Sequence, residues 1–125
     1  MAARSKAFPR EARLVTPGAF RRVFANADRF SDRYWTVLIT PNEVGRPRLG
    51  LAIGRRLSPR AVDRNRLKRL ARESFRRHQW QLPNVDIVLM ARPAARDCPG
   101  AVLHGALDRL WQRVIKRCEQ SSPAS

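Results

Sequence analysis

One segment, RNRLKRLARESFRR at residues 64–77, limits how the rest of the chain can be arranged. It carries seven basic residues and one acid. Its apolar residues, Leu67, Leu70, Ala71 and Phe75, recur at three- and four-residue spacing, the period of one face of an α-helix. Only that face can be buried. The opposite face must stay in water or meet something negative, because unpaired Lys and Arg are almost never buried. The segment is therefore an outer helix, and the other elements must supply a core beneath its apolar stripe.

On such a helix Arg64, Lys68 and Arg72 stack at i, i+4 and i+8, Arg66 and Arg69 flank the apolar stripe, and Arg76 continues the exposed face. Like charges at i, i+4 destabilise an isolated helix by about 0.2–0.5 kcal/mol per pair. A merely solvated face intersperses glutamates, and here only Glu73 does so. Phosphates of a bound polyanion would remove that repulsion. Arginine dominates over lysine, and its planar fork suits bidentate phosphate contacts. Asn65, between two arginines, can hydrogen-bond a base, a sugar hydroxyl or a backbone group. The whole chain agrees: 125 residues carry a formal net charge of +16, which favours a polyanionic partner. Charge alone does not separate nucleic acid from an anionic membrane surface. No window approaches the roughly 18 apolar residues of a membrane span.

Enzyme chemistry by the chain itself finds little support. The ten acids are scattered one at a time, whereas metal-dependent nucleases gather carboxylates around divalent cations. His78 and His104 lie in no nucleophile arrangement and read as helix-end and helix-surface residues. Cys98 and Cys118 have neither C-x-x-C spacing nor further histidines to make a zinc site. The first residues lack the apolar run of a secretory signal, so a soluble cytoplasmic protein is expected.

The remaining chain reads as one domain over 14–118, with a basic N-terminal arm over 1–13 and a polar, flexible tail over 119–125. TPGAFRRVFANA opens with Thr16 as candidate N-cap and Pro17 at the first helical position; Phe20, Val23 and Phe24 then share a face. RYWTVLIT alternates, with Tyr34, Thr36, Leu38 and Thr40 opposite Trp35, Val37 and Ile39. After the turn PNEVGRP comes RLGLAIG, with Leu49, Leu51 and Ile53 opposite Gly50, Ala52 and Gly54. The turn suggests that these two strands pair antiparallel. Ser58 or Asp63 could cap the basic helix. A further strand runs from about Val85 to Arg92, and a last helix begins at Pro99. ANADRFSDR can add an edge strand. The expected fold is an α+β two-layer sandwich, α-β-β-β-α-β-α, with helices on a mostly antiparallel four-stranded sheet.

A second surface follows from the strands. Gly50, Ala52 and Gly54 leave one sheet face nearly bare, and small residues in a strand mark close approach by a ligand or another backbone. Phe20, Phe24, Phe30 and Tyr34 are near in sequence. A floor of small residues rimmed by aromatics and arginines suits single-stranded nucleic acid. Equally, Phe20 and Phe24 could be core beneath the sheet.

LGLAIGRRLSPRAVDRNRLKRLARESFR closely resembles the signature of the bacterial ribonuclease P protein subunit, in which a small-residue strand leads through a basic turn into A-V-x-R-N-R-x-K-R-x-x-R-E-x-F-R. RLVTPGAFRRVF is similar to that family's first helix, and DIVLMARPAA to its last strand and following turn. The resemblance spans about residues 8–117. It implies a four-stranded sheet with a left-handed β-α-β crossover, where general rules favour the right-handed one. It implies a non-catalytic subunit of an endoribonuclease: the RNA subunit is the ribozyme, Mg²⁺ is bound mainly by that RNA, and the product is tRNA freed of its 5′ leader. Arg55, Arg56, Arg60, Arg64, Asn65, Arg66, Lys68, Arg69, Arg72 and Arg76 would contact the catalytic RNA. Phe20, Phe24, Tyr34, Gly50 and Ala52 would line a groove for the leader of precursor tRNA. One protein per RNA is expected. Gly54 stands where the family commonly has a serine, and Arg55 and Arg56 where it usually has lysines. A stand-alone basic RNA-binding module, for instance ribosome-associated, is the alternative.

Overall fold

The computed structural model describes residue 13 and residues 17–121. The arm expected over 1–13 lies outside the described residues apart from Arg13, as do Thr16 and the last four residues of the tail. The elements run α1 (Pro17–Asn26), β1 (Asp28–Ser31), β2 (Trp35–Pro41), β3 (Arg48–Leu51), α2 (Ala61–His78), β4 (Val85–Ala91) and α3 (Gly100–Ser121), with a 3₁₀ turn at Pro93–Ala95. This is the expected order, with β1 as the added edge strand. α3 continues to Ser121, into the stretch read as tail.

The strands are ordered β1-β2-β4-β3. β1 and β4 each pair antiparallel with β2, while β3 pairs parallel with β4. The antiparallel pairing of β2 with β3 expected from their short connection does not occur. β4 takes the place between them. Its first five residues are buried, and a strand that is apolar on both faces is stabilised most at the centre of a sheet. β3–α2–β4 is then a parallel crossover, the unit for which the resemblance implies a left-handed path. On the outer side of β3, Arg13 forms a bridge to Leu49.

The alternation read from the sequence sets the two sheet faces. Trp35, Val37, Ile39, Leu49, Ile53, Val85, Ile87 and Leu89 meet Leu67, Leu70, Phe75, Leu103, Leu107, Leu110 and Trp111 in the main core. This is the sandwich of the sheet with α2 and α3. α2 buries Leu67, Leu70, Ala71, Ser74 and Phe75, the stripe expected from spacing. Trp111 Nε1 donates to Ser74 Oγ at 2.8 Å, so the one polar residue of that stripe satisfies the indole N–H. On the opposite face α1 lies across β2 and β4, where Val23, Leu38 and Val88 form a smaller cluster joined by Phe20, Ala52 and Met90.

That smaller face also carries a buried charge. Asp86 is fully buried beneath the N-terminal side of the sheet. Arg48 of β3 donates Nε to Oδ1 and Nη2 to Oδ2, each at 2.8 Å. Arg22 of α1 donates to Oδ2 at 2.8 Å, and Asn42 of the β2–β3 turn donates to Oδ1 at 2.9 Å. The same turn holds Gly45 at φ 80°, in the left-handed region that glycine enters without strain. Burial pushes the Asp86 carboxyl up, but the hydrogen bonds from Arg48, Asn42 and Arg22 and the charge of Arg48 outweigh it and hold it below the usual carboxylate range.

A carboxyl held low stabilises the fold above its unfolded-state range and loses that contribution as pH falls through its folded value. Asp86→Asn should cost about 3 kcal/mol at neutral pH, by leaving donors without their acceptor charge. It should also flatten the loss of stability on acidification below about pH 4. Chemical denaturation at stepped pH measures both; parallel pH profiles for the two proteins would contradict the assignment.

Candidate nucleic-acid interface

The start of α2 explains how its first arginines are held. Arg60 is the N-cap and makes no side-chain cap bond, so neither Ser58 nor Asp63 is the simple cap expected. They act together instead. Ser58 Oγ accepts from the Arg60 N–H at 3.2 Å and donates to Asp63 Oδ2 at 2.9 Å. Asp63 also lies 3.9 Å from Arg60 Nε and places a negative charge in the first turn, where the helix dipole favours it.

Two basic side chains of α2 are tied to backbone carbonyls. Arg64 Nη1 donates to Ser58 O at 2.9 Å. Arg66 Nη2 donates to Cys98 O at 2.6 Å, across to the loop before α3. A guanidinium has five N–H donors, so one bond to a neutral carbonyl orients the group without neutralising it.

Asn65, Arg66, Arg69 and Arg72 are exposed, as are Arg55, Arg56 and Arg60 before the helix; Arg64, Lys68 and Arg76 are half-buried. The outermost ridge is therefore Asn65, Arg69 and Arg72 with Arg66 beside it, rather than the expected stack of Arg64, Lys68 and Arg72. Arg64 and Lys68 lie on the flank next to the buried stripe of α2. Arg76 does not continue the open face, and its Nε is buried without a partner. Val62, Asn65, Arg66 and Arg69 line a depression of about 390 Å³ on the outer side of the helix.

The acids of α2 leave this ridge uncompensated. Glu73 Oε1 lies 3.2 Å from His104 Nε2, and Asp63 is engaged with Ser58 and Arg60. Both histidines bind α2 to α3. His104 Nδ1 lies 3.0 Å from Arg77 Nη2, so the neutral tautomer protonated at Nε2 satisfies both neighbours. His78 meets Ser74 O through Nδ1 at 2.8 Å and Asp108 through Nε2 at 3.3 Å. Among the described residues no three His, Cys, Asp or Glu side chains come together to hold a metal ion. Cys98 and Cys118 are free thiols, and burial pushes Cys118 up.

The second surface lies on the other side of the sheet. α1 covers β2 and β4, while the same face of β3 presents only Gly50 and Ala52 between Arg48 and Gly54. β3 thus brings no large side chain to the strip beside α1, where Gly50 is buried and Ala52 half-buried; Arg48 is at one end and Arg55 and Arg56 follow the other. Phe20 packs on the floor with Ala52. Phe24 turns outward and is half exposed, so of the two phenylalanines only Phe20 joins the packed cluster. Tyr34 is not brought to them. It packs against the main core, with the Arg33 guanidinium 5.9 Å from its ring centre. Leu38, Val88 and Met90 also floor this face; strand alternation marks Leu38, but nothing local links it to α1.

A family model described as Ribonuclease P matches residues 8–115. The ribonuclease P protein component of Methylococcus capsulatus is 51% identical over 115 residues, 92% of this chain and 90% of that relative. Among solved structures, the RNase P protein of Staphylococcus aureus aligns with a TM-score of 0.76 at 28% identity, over 86% of this chain and 94% of that one. The RNase P protein of Thermotoga maritima gives 0.74 at 29%, over 82% and 96%.

Arg69→Ala with Arg72→Ala should weaken binding to a structured RNA and lower the slope of log affinity against log salt by roughly one unit per lost phosphate contact. Thermal stability should hold, since neither side chain makes a hydrogen bond or ion pair among the described residues. Arg66→Ala should weaken binding and also cost about 1 kcal/mol of stability through the lost bond to Cys98 O. An unchanged salt slope in the double variant would contradict the ridge as the contact surface.

Proposed function

Because this chain belongs to the ribonuclease P protein family, we propose that it is the RNA-binding protein subunit of a ribonuclease P that removes the 5′ leader of precursor tRNA. The observation that carries the reading is the separation of two surfaces. Among the described residues no carboxylate contacts the ridge Asn65, Arg66, Arg69 and Arg72, and the strip beside α1 lies on the opposite face of the sheet. The first surface anchors the catalytic RNA, with Arg55, Arg56, Arg60, Arg64 and Lys68 extending it. The second holds the leader as an extended strand, with Phe20 and Phe24 offering ring faces to its bases and Gly50 and Ala52 admitting its backbone. Arg55 stands at one end, where it would meet a phosphate, while the Arg48 guanidinium at the other is held by Asp86.

Among the described residues no group of side chains fits a Mg²⁺ site. Asp86 is surrounded by cationic donors, Asp63 and Glu73 are engaged as described, and no cluster of three ligands forms among the described residues. In this proposal Mg²⁺ resides on the RNA and supplies the Lewis acid and the activated water there. The protein contributes affinity and position: it binds, aligns and screens charge. One protein per RNA, acting in the cytoplasm, completes the reading; no described helix is long and apolar enough to cross a membrane.

Precursor-tRNA cleavage at low Mg²⁺ tests it with three samples: protein alone, catalytic RNA alone, and both together. Cleavage that occurs only with both, or is far faster with both, is expected. No effect of the protein would demote it to a stand-alone RNA-binding module. Cleavage by protein alone would make it a nuclease, against the scattered acids.

A further inference from the structure

The flank of α3 turned away from α2 carries a second set of basic side chains. His104, Asp108 and Trp111 mark the side of α3 that faces α2, where they meet Glu73, His78 and Ser74. Arg109, Arg113 and Lys116 are on the other side, spaced i, i+4 and i+7, and all are exposed. Arg113 reaches β1: its Nη1 donates to Ser31 O at 3.3 Å, and its guanidinium lies 5.2 Å from the Phe30 ring centre. Arg92, at the end of β4, donates Nη1 to Asp32 O at 3.1 Å. Two guanidinium groups therefore bond adjacent carbonyls of the β1–β2 turn. Arg33 is the next residue of that turn, with its guanidinium by Tyr34.

The nearby acids are occupied elsewhere. Asp32 Oδ1 accepts the N–H groups of Tyr34 at 2.7 Å and Trp35 at 2.8 Å. Asp28 pairs with Arg117 at 3.2 Å, and Asp97 with Arg96 at 3.7 Å. Carbonyls orient Arg92 and Arg113 but leave their charge intact, the arrangement already seen at Arg64 and Arg66. Guanidinium groups positioned in a row, with no carboxylate contact to Arg92 or Arg113 among the described residues, are matched by the regularly spaced phosphates of a nucleic-acid backbone.

We infer that Arg33, Arg92, Arg109, Arg113 and Lys116 form a second docking surface for RNA backbone phosphate, on the opposite flank of the α2–α3 layer from the α2 ridge. The inference rests on the ribonuclease P reading for the identity of the RNA. Engaging both flanks at once requires an RNA folded around the layer, so the second surface selects a structured RNA over a simple duplex.

Two variants of the full-length chain test it against the catalytic RNA, by salt-dependent binding and hydroxyl-radical footprinting. One is Arg109→Glu with Lys116→Glu, at exposed positions without hydrogen bonds among the described residues. The other is Arg92→Ala with Arg113→Ala. Each pair should lower the salt slope by about two units and remove RNA protections that the Arg69→Ala, Arg72→Ala protein retains. Arg92→Lys with Arg113→Lys should restore most of the slope, because charge is kept. Unchanged slope and footprint in both pairs, while the α2 variant loses binding, would overturn the second surface and leave the ribonuclease P reading standing. A loss confined to the Arg92, Arg113 pair and accompanied by a lower melting temperature would also overturn it, as a folding effect. Failure of the unaltered chain to bind the catalytic RNA at all would remove the ribonuclease P reading itself.

Discussion

A single buried carboxylate organises the side of the molecule on which single-stranded RNA is proposed to lie. Asp86 is on the central strand β4, and its partners come from α1, the β2–β3 turn and β3. A carboxylate without those donors would cost several kcal/mol to bury. With them, the charge is satisfied only if α1 sits where Arg22 reaches β4 and only if β3 pairs where Arg48 reaches the same oxygens. The smaller cluster of Val23, Leu38 and Val88 adds apolar contact but little direction, since apolar burial is not directional. The ion pairs supply direction. They fix α1 over β2 and β4, beside the small-residue face of β3, where Gly50 is buried and Ala52 half-buried.

The two faces of the sheet divide the work. The main core holds α2 and α3 with large side chains, among them Phe75 and Trp111, whose rings meet edge to face at 6.2 Å between centres. Burying such side chains contributes about 1.5–3 kcal/mol each, which outweighs the few tenths of a kcal/mol lost per like-charged pair along α2. A strongly basic outer ridge can therefore be carried without unfolding the helix. Contacts from α2 to α3 through His78, His104 and Trp111 hold the two helices as one layer. Anchoring a large RNA on this layer leaves the strip beside α1 on the opposite sheet face available to a second ligand.

Much of this was legible in the chain because it depends on local period. The inner stripe of α2, the alternation of β2, and the split of Leu49 and Ile53 from Gly50 and Ala52 all follow from spacings of 3.6 and 2. The family signature over residues 49–76 carried the functional reading. What stayed hidden depends on partners far apart in sequence. β4 enters between β2 and β3, which no turn rule anticipates. Asp86 meets Arg22 across 64 positions and Arg48 across 38, and a lone acid in an apolar strand does not name its cations. Side-chain direction within the basic helix was also out of reach. Arg64 and Arg66 turn to the carbonyls of Ser58 and Cys98, which moves the outer ridge to Asn65, Arg69 and Arg72. Tyr34 looked like a groove residue by its nearness in sequence and by the family resemblance, but it precedes β2 and packs on the other core.

The central claim is the division between an anchoring face for the catalytic RNA and a strip for the leader on the opposite face. The most direct measurement is the affinity of the assembled protein–RNA enzyme for precursor tRNA and for the same tRNA without its leader, under conditions where cleavage is blocked. Tighter binding of the precursor, with the difference abolished by filling the strip beside α1 through Ala52→Trp while binding of the catalytic RNA is kept, is the predicted result. Equal affinity for the two tRNAs would contradict the account.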